Sequence, residues 1–173
     1  NLTMKKCCVI GLGYIGLPTA ALLASKDYNV LGIDTNANAV DVINSGKAHI
    51  VEPQLDKYVS AAVSKKRFKA STVPGLADVY IICVPTPVEM GRKLPKPNIN
   101  HVINAIKSIS HLLKDGDLVI LESTSPVGTT KKLENTLRLS GVNTDNIHIA
   151  YCPERVLPGN VIDELIENDR VVG

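Results

Sequence analysis

The stretch Val9-Ile10-Gly11-Leu12-Gly13-Tyr14-Ile15-Gly16-Leu17-Pro18 leaves few folds open to this chain. An apolar run breaks into G-x-G-x-x-G and resumes with Ala20, Ala21, Leu23 and Ala24 at helical spacing, so it reads as strand, turn and helix. Pro18 fits the first helical turn, where a missing N–H costs nothing. Gly11 permits the tight turn, Gly13 lets the backbone come close to a pyrophosphate, and Gly16 lets helix and strand pack closely. The helix N-terminus then offers unpaired N–H groups to an anion. Taken alone the glycines are weak evidence, because glycines cluster in turns for many reasons.

Context strengthens them. A second apolar run, Val30-Leu31-Gly32-Ile33, ends at Asp34, at the spacing where such a fingerprint places an acid on the adenosine ribose hydroxyls. A carboxylate there repels a 2′-phosphate, and Thr35 and Asn36 supply no cation to receive one, so NAD is favoured over NADP. The alternative is that Asp34 simply caps the next helix.

The alternation continues along the chain. Ala39, Val40, Val42 and Ile43 predict a second helix closed by Ser45-Gly46, and a third runs from about Gln54 to Ser64. Arg67 to Ser71 is a short strand. Val79 to Val84 is apolar throughout, as expected of a parallel strand covered on both faces. A long polar loop, Val88 to Asn98, follows, and loops of that length are often functional. Ile99, Val102, Ile103, Ile106, Ile109 and Leu113 keep helical spacing, with Gly116 as a stop signal. Leu118 to Leu121 is a buried strand, a helix then extends to about Ser140, and Ile147 to Tyr151 is the last clear strand. Arg170 to Gly173 looks like the entrance to another strand, and the chain reads as a fragment. The class is α/β, a Rossmann-type doubly wound, mostly parallel sheet with helices on both faces. It occupies residues 4–173, and Asn1 to Thr3, which precede Met4, are set aside as a remnant.

Composition narrows the function. The chain has 173 residues, is 45% hydrophobic and carries a net charge of +2 with both signs interspersed, so it can bury one domain's core and shows no nucleic-acid surface. Lys65-Lys66-Arg67 with Lys69 reads as a solvated face. No apolar run is long enough to span a bilayer. The four cysteines, Cys7, Cys8, Cys83 and Cys152, lack metal-ligand or C-x-x-C spacing and read as reduced core residues, with no metal expected and a cytoplasmic location. Cys7 and Cys8, neighbours on one strand, must face opposite sides of the sheet.

In such sheets ligands bind outside the carboxyl ends of the strands, which singles out Gly11 to Gly16, Asp34, Val84 to Pro87, Glu122 to Thr129 and Cys152 to Asn160. Thr86 and Thr124 carry hydroxyls suited to ribose, amide or bound water, though either could be a helix cap. Glu154 and Arg155, bracketed by prolines after a strand, offer a base and a planar anion-binding fork, or else a surface ion pair.

Together the motifs resemble the UDP-glucose/GDP-mannose dehydrogenases, which oxidise a nucleotide sugar to its uronic acid. The resemblance rests on Gly11 to Pro18, Val84-Pro85-Thr86-Pro87 and Ser123-Thr124-Ser125-Pro126-Val127-Gly128-Thr129, and covers nearly all the chain from Met4. It is sharpened by Glu122 to Gly128, Ala150 to Gly159 and Asn168 to Gly173, which point to UDP-N-acetyl-D-mannosamine as the substrate. Alternatives are UDP-N-acetylglucosamine or UDP-glucose, or a dinucleotide module that catalyses nothing. The resemblance implies NAD contacts at Gly11, Gly13, Tyr14, Ile15, Gly16, Asp34, Val84, Thr86 and Thr124. It implies substrate contacts at Glu154, Arg155 and Val156, with Glu154 near the reacting centre and Thr124 supporting it. Relatives acting on UDP-glucose carry a second Glu where this chain has Pro158, which makes that sugar a poorer fit.

The implied reaction oxidises a primary alcohol twice. A cysteine captures the aldehyde as a thiohemiacetal, and a thioester is hydrolysed after the second hydride has left for a second NAD. That cysteine and its assisting lysine belong to a region beyond this chain, so the fragment alone is expected to be inactive. The full-length protein is expected to be a homodimer or higher oligomer.

Overall fold

The computed structural model describes residues 5–90 and 95–173. Asn1 to Met4, and with them the expected remnant, and the centre of the Val88 to Asn98 loop lie outside the described residues. Six strands form one parallel sheet: β1 (Lys6–Ile10), β2 (Asn29–Ile33), β3 (Phe68–Ser71), β4 (Val79–Ile82), β7 (Leu118–Leu121) and β8 (His148–Tyr151), in the order β3-β2-β1-β4-β7-β8. The order reverses between β1 and β4, which opens a crevice at their carboxyl ends. The expected fold class stands.

The core lies in two layers. On one face Cys7, Val9, Val30, Phe68 and Ile81 pack under α1 (Gly16–Ser25), α2 (Ala37–Asn44) and α3 (Leu55–Ser64). On the other, Cys8, Ile10, Tyr80, Ile82, Val119 and Leu121 pack under α4 (Asn100–Ile109) and α5 (Thr129–Leu139). Cys7 and Cys8 therefore do face opposite layers, as the pleat requires. Asn36 caps α2, its side chain accepting from the amides of Asn38 and Ala39.

Four features depart from the sequence expectations. The strand expected over Val79 to Val84 ends at Ile82, because Val84 turns into Pro85. The polar loop contains a small antiparallel hairpin, β5 (Val88–Glu89) with β6 (Lys96–Pro97), closed by Asn98 N–H donating to the Pro87 carbonyl at 2.8 Å. The helix expected to reach Leu113 stops at Ile109 and tightens into a 3₁₀ turn at Ser110–Leu112. There Ser108 and Ser110 donate to the carbonyls of Ala105 and Lys107, local bonds that compete with regular helix. Finally a short helix, α6 (Val161–Glu167), follows the Glu154 loop and packs against α1. Glu52, buried in the α2–α3 loop, accepts from the amides of Gly159 and Val161 at 3.0 and 2.9 Å and so anchors its start. At the expected strand entrance, Gly173 exchanges two backbone hydrogen bonds with Tyr151.

Two tests follow from the packing. A Cβ on Gly16 would lie 1.6 Å from the Gly11 carbonyl oxygen, a backbone atom that cannot step aside. We expect Gly16→Ala to destabilise the fold by more than about 3 kcal/mol in urea unfolding, the scale of a severe core clash. Burial pushes the thiols of Cys7 and Cys8 up to about 11 from an ordinary 9.0. The unfolded chain ionises its thiols first, so the stability these two contribute is complete below about pH 9 and is lost as pH rises toward 11. We expect neither to react with a thiol reagent at pH 8 before unfolding, and Cys7→Ala to flatten the alkaline loss measured by denaturation.

Candidate dinucleotide-binding site

The site begins where β1 gives way to α1. Gly11 has φ +92°, and its N–H donates to the Ile33 carbonyl at 2.8 Å, which holds the turn against the end of β2. A Cβ at Gly11 would stand 2.7 Å from the Cys83 carbonyl oxygen, so the turn passes directly over the end of β4. The first helical bond runs from Leu17 N–H to the Gly13 carbonyl at 3.1 Å. The amides just ahead of Leu17 thus lead the helix without an intrahelical acceptor. Gly13 itself is exposed, with nothing within 4 Å of where a Cβ would sit, which leaves bare backbone facing the cleft.

Asp34 closes β2 beside this turn. Its Oδ2 accepts from Leu12 N–H at 3.1 Å and its Oδ1 from Asn36 N–H at 2.9 Å. Each oxygen keeps a further lone pair, so the carboxylate is fixed in place and can still accept from two hydroxyls. It is tied to the loop before α2, but Asn36 is the residue that caps that helix.

Across the crevice the loops after β4 and β7 are stitched together. Thr86 Oγ1 donates to the Thr124 carbonyl at 2.7 Å, and Ser123 Oγ donates to the Val84 carbonyl at 2.7 Å. Beneath them lies Glu122, 2% exposed. Its Oε1 accepts from Thr19 Oγ1 at 3.1 Å and lies 3.6 Å from the Arg170 guanidinium, and its Oε2 is 3.7 Å from Cys83 Sγ. Burial pushes the Glu122 carboxyl above its ordinary value, while Arg170, Thr19 and Cys83 oppose the rise and Glu154 adds to it. Burial, reinforced by the Glu122 charge, also lifts the Cys83 thiol well above its ordinary value, which suits a core thiol and not a nucleophile. Glu154 follows β8, and its Oε2 accepts from Val156 N–H at 3.0 Å.

These groups line one open cleft of about 650 Å³. It brings together Gly11, Gly13, Tyr14, Ile15, Asp34, Val84, Thr86, Thr124 and Glu154 from the sequence-derived set. Gly16 sits below, as the packing glycine, and Arg155 and Val156 lie outside the lining. The walls suit a dinucleotide: bare backbone at a helix N-terminus, a fixed carboxylate two strands away from the Thr86 loop and three from the Thr124 loop, and no Lys or Arg lining the cleft among the described residues. The same described residues contain no group of three or more His, Cys, Asp or Glu placed to hold a metal, and no helix long and apolar enough to cross a membrane.

The structure adds lining residues that the sequence reading did not select. Thr72 and Pro74 follow β3, and His101, Asn104 and Ser108 come from α4. The α4 residues fall on one helical face, a polar stripe beside the apolar one formed by Val102, Ala105, Ile106 and Ile109. In the sequence, Glu122 stands out only as the start of the loop after β7. Its signal was a carboxylate ending an otherwise apolar strand.

Residues 5–173 match the UDP-glucose/GDP-mannose dehydrogenase family, NAD binding domain. The chain is 51% identical over 98% of its length to UDP-N-acetyl-D-mannosamine dehydrogenase of Campylobacter jejuni, covering 43% of that protein. It is 47% identical over its whole length to NDP-N-acetyl-D-galactosaminuronic acid dehydrogenase of Ralstonia nicotianae, covering 42% of it. Among solved structures, UDP-N-acetyl-mannosamine dehydrogenase of Staphylococcus aureus superposes with a TM-score of 0.90 at 38% identity, over 97% of this chain and 41% of that one. The chain thus spans roughly two-fifths of the length of these relatives. The glycine turn, the Asp34 carboxylate and the crevice accord with that match, and the chain belongs to the UDP-glucose/GDP-mannose dehydrogenase family as its NAD-binding domain.

Proposed function

We propose that this domain serves an enzyme that oxidises the C6 alcohol of UDP-N-acetyl-D-mannosamine to the uronic acid, for surface polysaccharide synthesis in the cytoplasm. The observation that carries the reading is the single cleft running from Asp34 to Glu154 across the strand ends, in a chain about half identical to a dehydrogenase of that sugar. When bound, NAD supplies the hydride acceptor. Asp34 holds the adenosine ribose hydroxyls, and the amides ahead of Leu17 face the pyrophosphate over Gly13. The Thr86–Thr124 bond holds the two loops of the opposite wall in register. Glu154, its carboxylate steadied by the Val156 amide, manages the proton of a sugar hydroxyl or a water near the reacting carbon. Arg155 and Val156, next on the same loop, contact the substrate from beyond the cleft wall. Cys83 lines the cleft but is half-buried beside the Glu122 carboxylate, and burial together with that charge holds its thiol protonated, so covalent capture falls to a cysteine in the rest of the full-length, homo-oligomeric protein.

Similarity to the Ralstonia enzyme, an NDP-N-acetyl-D-galactosaminuronic acid dehydrogenase, supports a second reading in which the sugar is an N-acetylgalactosamine carried on a nucleoside diphosphate. Epimers are separated by hydrogen bonds to single hydroxyls, so ranking UDP-sugars by kcat/KM in the full-length protein distinguishes the readings.

We expect two NADH per UDP-N-acetyl-D-mannosamine consumed by the full-length protein; one NADH, or none, refutes the two-step oxidation. Asp34→Asn should weaken NAD binding by about 1 to 3 kcal/mol in calorimetry, the scale for losing a charged hydrogen-bond partner. Gly13→Ala should leave the melting temperature unchanged, since nothing crowds the new methyl, yet weaken NAD at least as much. Unchanged affinity in either variant would remove that residue from the site.

A further inference from the structure

Glu122 is a buried carboxylate that the reading above leaves without a task. Thr19 of α1 and Arg170 of the segment after α6 hold it, and neither of them lines the cleft, whereas Glu122 does. Arg170 is itself positioned: it follows α6, and Gly173, three residues on, is bonded both ways to Tyr151 of β8. Its second guanidinium nitrogen lies 3.9 Å from Cys152 Sγ. The charged and titratable groups facing Glu122 are therefore Arg170, Cys83 and Glu154.

The topology says which half of a dinucleotide meets this carboxylate. Asp34 ends β2 and Glu122 follows β7, with β1 and β4 between them, a separation of three strand spacings, about 14 Å. With one nucleoside anchored at Asp34 and the pyrophosphate at the glycine turn, the second nucleoside falls at the β4–β7–β8 edge. In NAD that nucleoside carries the nicotinamide, whose ring is cationic when oxidised and neutral when reduced.

Resting on the NAD reading, we propose that Glu122 in the floor of the cleft, paired from behind with Arg170, sets the preference between the two redox forms, the carboxylate favouring NAD⁺ over NADH. Arg170 moderates the carboxylate without cancelling it, since the guanidinium approaches from outside the cleft at 3.6 Å. A preference of this sign suits an enzyme that must exchange a spent cofactor for a fresh one while the half-oxidised sugar remains in place. Glu122 is here a specificity-determining group for the cofactor, and Arg170 a positioning residue that acts through it.

The test is the ratio of the NADH and NAD⁺ dissociation constants in the full-length protein, measured by calorimetry on wild type, Glu122→Gln, Arg170→Gln and the double variant from pH 6 to 9. Glu122→Gln keeps the shape and removes the charge. It should lower the NADH/NAD⁺ ratio about three- to tenfold, the effect of one charge on another several ångströms away at an intermediate dielectric. Arg170→Gln removes the group that opposes the burial-driven rise in the Glu122 pKa, so the carboxyl titrates at higher pH. The ratio in that variant should climb with pH as Glu122 ionises, and the double variant should be flat. If Glu122→Gln does not fold, the pH-dependent ratio of Arg170→Gln alone carries the test. An unchanged ratio in Glu122→Gln, or a pH dependence that survives in the double variant, overturns the proposal while leaving NAD binding intact. Failure of wild type to bind either form overturns the cofactor reading and this proposal with it.

Discussion

Backbone meets backbone at the crossing of β1, α1 and β4, and the ligand edge of the sheet depends on that contact. Gly16 sits where any Cβ would enter the Gly11 carbonyl, and Gly11 sits where any Cβ would enter the Cys83 carbonyl. Removing two side chains lets the helix start directly above the sheet, with its leading amides pointing across the crevice instead of away from it. The same proximity lets Thr19, one turn into α1, reach Glu122 at the end of β7. The polar floor and the helix N-terminus are thus consequences of one close approach.

The cleft is electrostatically uneven. On the glycine side it offers fixed partial positive charge from helix amides, with Asp34 beyond as an acceptor for neutral hydroxyls. On the far side it presents two carboxylates, Glu122 and Glu154, close enough to raise the proton affinity of Glu122. A single guanidinium, Arg170, answers Glu122. Burying a carboxylate is costly unless it is paired and hydrogen-bonded, and here a threonine hydroxyl, a thiol and an arginine share that task. The carboxylate side of the cleft is thus the side that attracts positive charge, and the glycine side the one that attracts negative charge.

The glycine turn, the Asp34 carboxylate and most of the alternating strands and helices were legible in the sequence because each rests on local chemistry. A glycine spacing encodes a turn, a period of 3.6 encodes a buried helical face, and an unbroken apolar run encodes a strand covered on both sides. Even Cys7 and Cys8 could be assigned to opposite layers from the pleat alone. What escaped was either short or polar. Helix α6 has seven residues, three of them acidic, and depends on Glu52 from a distant loop to fix its start. The β5–β6 hairpin rests on two residues a side. The cleft-facing stripe of α4 is polar, and only the apolar face beside it carries a hydrophobic period.

By itself, then, the sequence determined the doubly wound class, the NAD-type fingerprint and the family, since these follow from motifs whose parts lie within a few residues of one another. Only the tertiary structure decided that Glu122 and Arg170, 48 positions apart, face each other, that Glu52 caps α6, and that His101 and Asn104 join the cleft at the strand ends while Arg155 stands outside it. The reason is physical: a buried charge finds its partner through the crossing order of strands and the packing of helices, and no local pattern records which distant residue arrives there.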